Sequence, residues 1–295
     1  MTARFYLPGV VELMQNSLVC GSFTVDLSRP VVMGILNVTP DSFSDGGEFF
    51  GLQQAEQHAL EMYRQGAAII DVGGESTRPG SEAVSLQQEL DRVIPVIERL
   101  SKNLDIPISV DTSKPEVMRE AVAAGASMIN DVMALQQGNA VETVAGMDAS
   151  IAVCLMHMQG QPRTMQASPG YTNVVEDVTQ FLLERIQTCK DAGISEDRLL
   201  VDPGFGFGKT LQHNLTLLAN LARFTEINLP LLVGISRKSM IGTLLGDVTA
   251  DQRLFGSVAA AVLAYERGAT ILRVHDVKAV SYTHLTLPTT IKPWG

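Results

Sequence analysis

Eight short apolar runs punctuate the chain, at residues 31–38, 68–73, 106–111, 127–132, 151–156, 199–202, 231–235 and 270–274. They are near-continuous rather than alternating, the pattern of parallel strands covered on both faces. Stretches with helical spacing separate most of them. Ser113-Lys114-Pro115 predicts a helix start, with a cap candidate and an early proline, and Gly125 predicts its stop. Residues 176–191 read as a long amphipathic helix ended by Gly193, and 259–267 as one ended by Gly268. Strands alternating with helices predict parallel βαβ units.

Eight such units without a Pro-, Gly- or Ser-rich linker predict an α/β protein with one closed TIM-type (β/α)8 barrel over residues 1–280, rather than two open sheets. Residues 18–27, around Gly21, predict an N-terminal β-hairpin ahead of the first barrel strand, placed to plug its bottom. Val277-Lys278-Ala279-Val280 opens a last helix, and then the pattern fails. Residues 281–295 hold four threonines and two prolines with no helical period, and Pro288 would stop a helix. This segment reads as an atypical, non-native tail in place of a final helix.

Composition narrows the function classes. The 45% hydrophobic and 18% charged content of the 295 residues suits a large buried core. With 22 Lys+Arg against 32 Asp+Glu the net charge is −10, and without a basic run a nucleic-acid partner is not expected. Three cysteines without CxxC spacing imply neither a disulfide framework nor a zinc site. The N-terminus lacks the pattern of a secretory signal, and no apolar run reaches the roughly 18 residues a membrane span needs. The expectation is a soluble, cytoplasmic protein with no membrane partner.

In a barrel of this kind chemistry collects at the C-terminal ends of the strands. Those ends are polar throughout: Asn37, Asp71 with Glu75-Ser76-Thr77-Arg78, Asp111, Asn130-Asp131, His157, Asp202, Ser236-Arg237-Lys238-Ser239, and Arg273 with His275. Any one has a plain structural explanation, such as a turn at Asp202-Pro203-Gly204 or a satisfied buried histidine at His157. Together they describe a cavity for a polar heterocycle and an anion. Gly204-Phe205-Gly206-Phe207-Gly208-Lys209-Thr210 resembles a Walker A loop, but Pro203 stands where its first glycine belongs. It reads GxGxG, not the GxGxxG of a dinucleotide site. Its glycines are expected to let backbone pass close to a flat ligand, with Phe207 as an aromatic wall. The turn-rich segment 39–47 is a candidate lid.

Seven segments carry a family resemblance. They are 34–47 (GILNVTPDSFSDGG), 71–80 (DVGGESTRPG), 109–113 (SVDTS), 129–131 (IND), 202–209 (DPGFGFGK), 236–239 (SRKS) and 273–276 (RVHD). Together they resemble the full motif set of the dihydropteroate synthases, from the first strand to the eighth; only the tail departs from it. The resemblance implies condensation of 6-hydroxymethyl-7,8-dihydropterin pyrophosphate with 4-aminobenzoate to 7,8-dihydropteroate and pyrophosphate, in folate biosynthesis. It implies a pterin site at Asp111, Asn130, Asp202, Lys238 and Phe207, and a pyrophosphate site at Asn37, Thr77, Arg273 and His275. Asn37 would act through Mg²⁺, a hard ion that keeps phosphate and water oxygens as ligands. The 4-aminobenzoate would lie among Thr77, Arg78, Pro79, Phe207 and Ser236, with Lys238, Arg273 and His275 as the catalytic set. The implied chemistry is departure of pyrophosphate followed by attack of the amine, which needs charge stabilisation rather than a strong base.

Two other readings stand beside this one. A methyltetrahydrofolate–corrinoid methyltransferase would share acids such as Asp111 and Asp202, but has no use for Arg273, His275 and Lys238 around a pyrophosphate. A barrel made inactive by its altered C-terminus is the other. A homodimer of the family's type is in doubt for the same reason.

Overall fold

The computed structural model describes residues 16–38, 47–76, 83–160, 164–166 and 168–285. Strands β1 (Ser17–Cys20) and β2 (Phe23–Asp26) pair antiparallel as the expected hairpin. Eight parallel strands follow: β3 (Val31–Asn37), β4 (Ile69–Gly73), β5 (Ile108–Asp111), β6 (Met128–Asp131), β7 (Ala152–Met156), β8 (Leu199–Asp202), β9 (Leu232–Val233) and β10 (Ile271–Val274). Their hydrogen-bonded order is β8-β7-β6-β5-β4-β3-β10-β9, and a parallel bridge between Val201 and Leu231 joins the two ends of that list. The ring is closed, which leaves the buried strands no open edge. Each predicted run contains its strand. The shortest, β9, covers two of five predicted residues, because Gly234 to Ser236 leave the ladder and Ser236 Oγ takes the His275 N–H instead, at 3.2 Å.

The helices surrounding the ring are α1 (Gly47–Arg64), α2 (Leu86–Asn103), α3 (Pro115–Ala123), α4 (Ala140–Ala145), α5 (Val174–Asp191), α6 (Leu211–Ala219), α7 (Ser239–Leu244), α8 (Leu254–Glu266) and α9 (Val277–Leu285). The stops near Gly125, Gly193 and Gly268 follow the sequence signals, while three points differ. Helix α8 begins at Leu254, five residues before the expected start at 259. Ser113 does not cap α3: the cap position is Lys114, which makes no side-chain cap bond and reaches instead to Glu75 and Glu89. Helix α9 does not stop at Val280 but runs to Leu285, with Ser281 buried and Thr283 Oγ1 donating to the Val280 carbonyl at 2.9 Å. One turn of the segment expected to be non-helical is therefore helix. The remainder, 286–295, lies outside the described residues. No described helix is long and apolar enough to cross a membrane.

Period-two alternation along each strand decides what faces inward. One set packs against the helices: Val32, Ile70, Val72, Ile108, Val110, Ile129, Val153, Val201 and Leu272 belong to the large outer core. The other set fills the barrel. At its lower end Met33, Ile69, Met128, Ala152, Cys154, Leu200, Leu232 and Ile271 pack with Leu18, Cys20, Val25 and Leu27 of the hairpin, which plugs the bottom. Two residues further along the strands, the same inward row changes character. Asp71 follows Ile69, Asn130 follows Met128, Asp202 follows Leu200 and Arg273 follows Ile271. The barrel is thus apolar below and charged above.

Candidate active site

The charged layer is organised around Arg273. Its Nε donates to Asp71 Oδ2 and its Nη2 to Asp111 Oδ2, both at 2.6 Å. Asn130 Nδ2 donates to the same Asp71 oxygen at 3.1 Å. Asp71 is fully buried, and its Oδ1 has no hydrogen-bond partner. One guanidinium thus serves two carboxylates, all three groups largely withdrawn from solvent. Burial, aided by Asp71, outweighs the pull of Arg273 and pushes the Asp111 carboxyl up to about 7. The same two carboxylates hold the Arg273 guanidinium above its ordinary range, against the effect of burial.

A second group lines the opposite wall. Asp202 is buried, and Oδ1 accepts the Gly204 N–H at 2.7 Å; burial raises its carboxyl, with Lys238 opposing. Lys238 donates to the Phe205 carbonyl and holds its Nζ 4.3 Å from the centroid of the Phe207 ring. Burial lowers the Lys238 ammonium to about 8, with Asp202 pulling the other way. Phe207 itself packs with Met133, Val132, Met156, Met158 and Met165, an apolar wall at the mouth. The layer therefore presents carboxylate and amide acceptors beside cations and an aromatic face, which suits a flat heterocycle rich in N–H donors.

The loop after β9 is shaped by its neighbours. Arg237, with a φ of 58°, gives its N–H to Ser257 Oγ at 2.9 Å, and its guanidinium grips Asp276 through Nε at 2.9 Å and Nη2 at 2.5 Å. Ser236 Oγ sits 3.2 Å from His275 Nδ1. This ties the loop after β9 to the one after β10, and brings Ser236 and His275 together.

The sequence-predicted residues fall into three groups. Asp111, Asn130, Asp202, Phe207, Ser236, Lys238, Arg273 and His275 lie at the C-terminal ends of their strands or in the loops just beyond. Asn37, at the end of β3, lies beside Asp111: a Cβ built on Gly73 would stand 3.8 Å from Asn37 Oδ1 and 3.7 Å from Asp111 Oδ2. Thr77, Arg78 and Pro79 lie outside the described residues, as does most of the candidate lid at 39–47. Two strand-end residues prove structural. Asp131 accepts the N–H groups of Met133 and Leu135 at 2.8 and 2.7 Å, and His157 is buried against Lys209. Asp71, given no role from sequence, holds both Arg273 and Asn130. The signal was present: it occupies the inward register of β4, two residues beyond Ile69.

Among the described residues no group of three or more His, Cys, Asp or Glu side chains could hold a metal ion. Asn37 offers a neutral amide oxygen, with open space toward Asp111 kept by Gly73. That donor set suits a hard cation brought with its own phosphate and water oxygens, and not a metal held by protein alone.

A closed parallel barrel with this charged rim defines a class. The family described as pterin binding enzymes matches residues 33–275, and the chain belongs to it. Within that family, the dihydropteroate synthase of Escherichia coli is 57% identical over 255 residues, 86% of this chain and 89% of its own length. The crystal structure of the Yersinia pestis dihydropteroate synthase with a sulfonamide drug complex superposes with a TM-score of 0.84 at 55% identity, covering 90% of this chain and 95% of that one. The Xanthomonas albilineans dihydropteroate synthase with 4-aminobenzoic acid gives a TM-score of 0.85 at 52% identity, covering 91% and 95%.

Proposed function

We propose that the chain is a dihydropteroate synthase, joining 6-hydroxymethyl-7,8-dihydropterin pyrophosphate to 4-aminobenzoate with release of pyrophosphate. The observation that carries this is the inward row Asp71, Asp111, Asn130, Asp202 and Arg273, set beside Lys238 and Phe207. The guanidine-like edge of a pterin offers several donors, and Asp111, Asn130 and Asp202 supply acceptors for them. Lys238 donates to the acceptor atoms of the ring, and Phe207 covers part of it.

Arg273 has five N–H donors, of which Asp71 and Asp111 take two. The others, with His275 and Thr77, are the groups assigned to the pyrophosphate. As the methylene C–O bond breaks, its electron pair leaves with the pyrophosphate, whose growing charge these groups stabilise. The amine of 4-aminobenzoate then forms the new C–N bond and loses a proton. Ser236, Arg78, Pro79, Thr77 and Phe207 are the residues for 4-aminobenzoate. Asn37 would hold one corner of a Mg²⁺ ion, which when bound neutralises charge on the leaving group. A cytoplasmic setting belongs to the same proposal, supported by Cys20, Cys154 and Cys189, all buried and all free.

Calorimetry tests the assignment. A pterin lacking pyrophosphate is titrated into the parent chain and into Asp111→Asn and Asp202→Asn. Each amide turns a donor toward a donor, so each variant is expected to lose about 10-fold or more in affinity, roughly 1–3 kcal/mol. Normal binding by either variant would remove that residue from the site.

A further inference from the structure

The lysine that made residues 204–210 resemble a phosphate loop is left without a role by the reading above. Lys209 is 2% exposed, and among the described residues its ammonium touches no carboxylate. Four acceptor atoms surround Nζ instead: His157 Nδ1 at 2.8 Å, the Gly204 carbonyl at 2.9 Å, the Phe207 carbonyl at 3.0 Å and the His157 carbonyl at 3.4 Å. Burial lowers the Lys209 ammonium well below its ordinary range, with Asp202 opposing. A neutral amine has two N–H groups and an ammonium three, so the cage of four acceptors works against burial and favours the charged form. His157 is held neutral, its pKa lowered to about 3 chiefly by burial. Facing an ammonium at 2.8 Å, Nδ1 is assigned as the acceptor and the ring proton to Nε2.

The loop between Asp202 and Lys209 is anchored along its whole length. Its glycines 204, 206 and 208 have φ of 69°, 79° and 62°, and a Cβ at 204 or 208 would strike the carbonyl of His157 or Gln159. Each of its five successive carbonyls from 204 to 208 accepts a side-chain donor. In order these are Lys209, Lys238, Gln166 (2.5 Å), Lys209 again, and Tyr171 (2.8 Å). Lys209 alone among these grips the loop twice, three residues apart. One grip fixes Gly204, whose N–H holds Asp202; the other fixes Phe207.

We propose that Lys209 is a positioning residue for the reaction: its buried ammonium clamps the 204–208 loop and presents Asp202 and Phe207 to the pterin. The proposal rests on the assignment of Asp202 and Phe207 to the pterin site. Its charge has a second effect. Asp202 is faced by Lys238 from the loop after β9, by Arg273 from β10, by Cys154 from β7 and by Lys209. Lys209 in turn is faced by His157, Asp202 and Lys238. Three cations oppose the burial that raises the Asp202 carboxyl, and Lys209 is one of them. Without it Asp202 takes up its proton at higher pH, and a protonated carboxyl accepts poorly from the pterin N–H groups.

The test is the affinity of the full-length protein for a pterin without pyrophosphate, measured from pH 5 to 9 in the parent, Lys209→Met and Lys209→Gln. Asp111 titrates in all three and Lys238 acts on the alkaline side, so the difference in the acidic limb reports Asp202. Both variants are expected to bind at least 10-fold more weakly at neutral pH, with the acidic midpoint of binding moved upward. An unmoved midpoint overturns the proposal, whatever the affinity, because a loss of packing alone weakens binding equally at every pH. If Lys209→Met fails to fold, Lys209→Gln, which keeps a donor without the charge, is read the same way. Absence of pterin binding by the parent would sink the functional reading itself, and is distinct from either result.

Discussion

Arg273 Nε and Asp71 Oδ2 meet at 2.6 Å across 202 residues of sequence, in the middle of the barrel. The pair joins the last barrel strand to the second, and its position between apolar bottom and polar rim explains both its stability role and its chemistry. Asp71 is wholly buried and the Arg273 side chain 19% exposed. Removing one partner of such a pair leaves an uncompensated charge, which is more damaging than removing both.

Arg273→Ala is therefore expected to lower the unfolding free energy by about 3 kcal/mol, and Asp71→Asn added to it to recover part of that loss. Urea denaturation of the two single variants and the double variant measures the coupling. Additive losses would mean the contact is energetically idle. The same variant is expected to lose turnover about 10²–10³-fold through the leaving group. Weaker binding of bare pterin is expected too, because Asp111 and Asn130 lose the residue network that orients them.

Asp111 makes the stability depend on pH with a definite sign. Its folded pKa, about 7, lies above the ordinary value of 3.8, so the folded state binds the extra proton. The stabilisation is fully present below the ordinary value and is lost as pH rises through about 7. Asp111→Asn is expected to flatten that part of the stability curve. Parallel curves for parent and variant between pH 4 and 7.5 would contradict the assignment. Pterin binding runs the opposite way: it needs the ionised carboxylate and strengthens as pH rises through the same window.

Helix α9 contributes more than the sequence pattern implied. Val277 and Val280 are each 1% exposed, and Val277 packs over Gly34 of β3. Truncation after Asp276 removes both and is expected to cost roughly 1.5–3 kcal/mol for each, enough to lower the melting temperature by several degrees. Replacing 286–295 by an amphipathic continuation of α9 is expected to raise melting temperature and solubility. Equal melting of original and replaced chains would remove the physical support for reading that segment as non-native.

Strand positions were legible because each of the eight runs is apolar on both faces, and the punctuation around Gly193 and Gly268 placed two helix ends. Motif residues such as Asp111, Asp202 and Lys238 were legible as polar interruptions at strand ends. The role of Asp71 is not legible, since sequence shows that a carboxylate interrupts Ile69-Ile70 and Val72 without showing which cation, 202 residues away, meets it. In sequence Lys209 shows only as the end of a false phosphate loop, because three of the four atoms that cage it are carbonyls, which every residue carries, and the fourth is His157 Nδ1, 52 residues away. Ser113 looks like a cap in sequence, but Lys114 holds the cap position and Pro115 opens α3 without it. The helical turn 281–285 is not legible because Ser281, Thr283 and His284 carry no apolar period; burial of Ser281 against Gly66 holds it in place.

The most direct test of the account is product stoichiometry. Purified protein is mixed with Mg²⁺ and dihydropterin pyrophosphate, with and without 4-aminobenzoate, and both pyrophosphate and dihydropteroate are quantified. The account predicts one pyrophosphate released for each dihydropteroate formed, dependent on 4-aminobenzoate and reduced about 10²–10³-fold in Arg273→Ala. A folded protein that binds the pterin yet forms no dihydropteroate would contradict it.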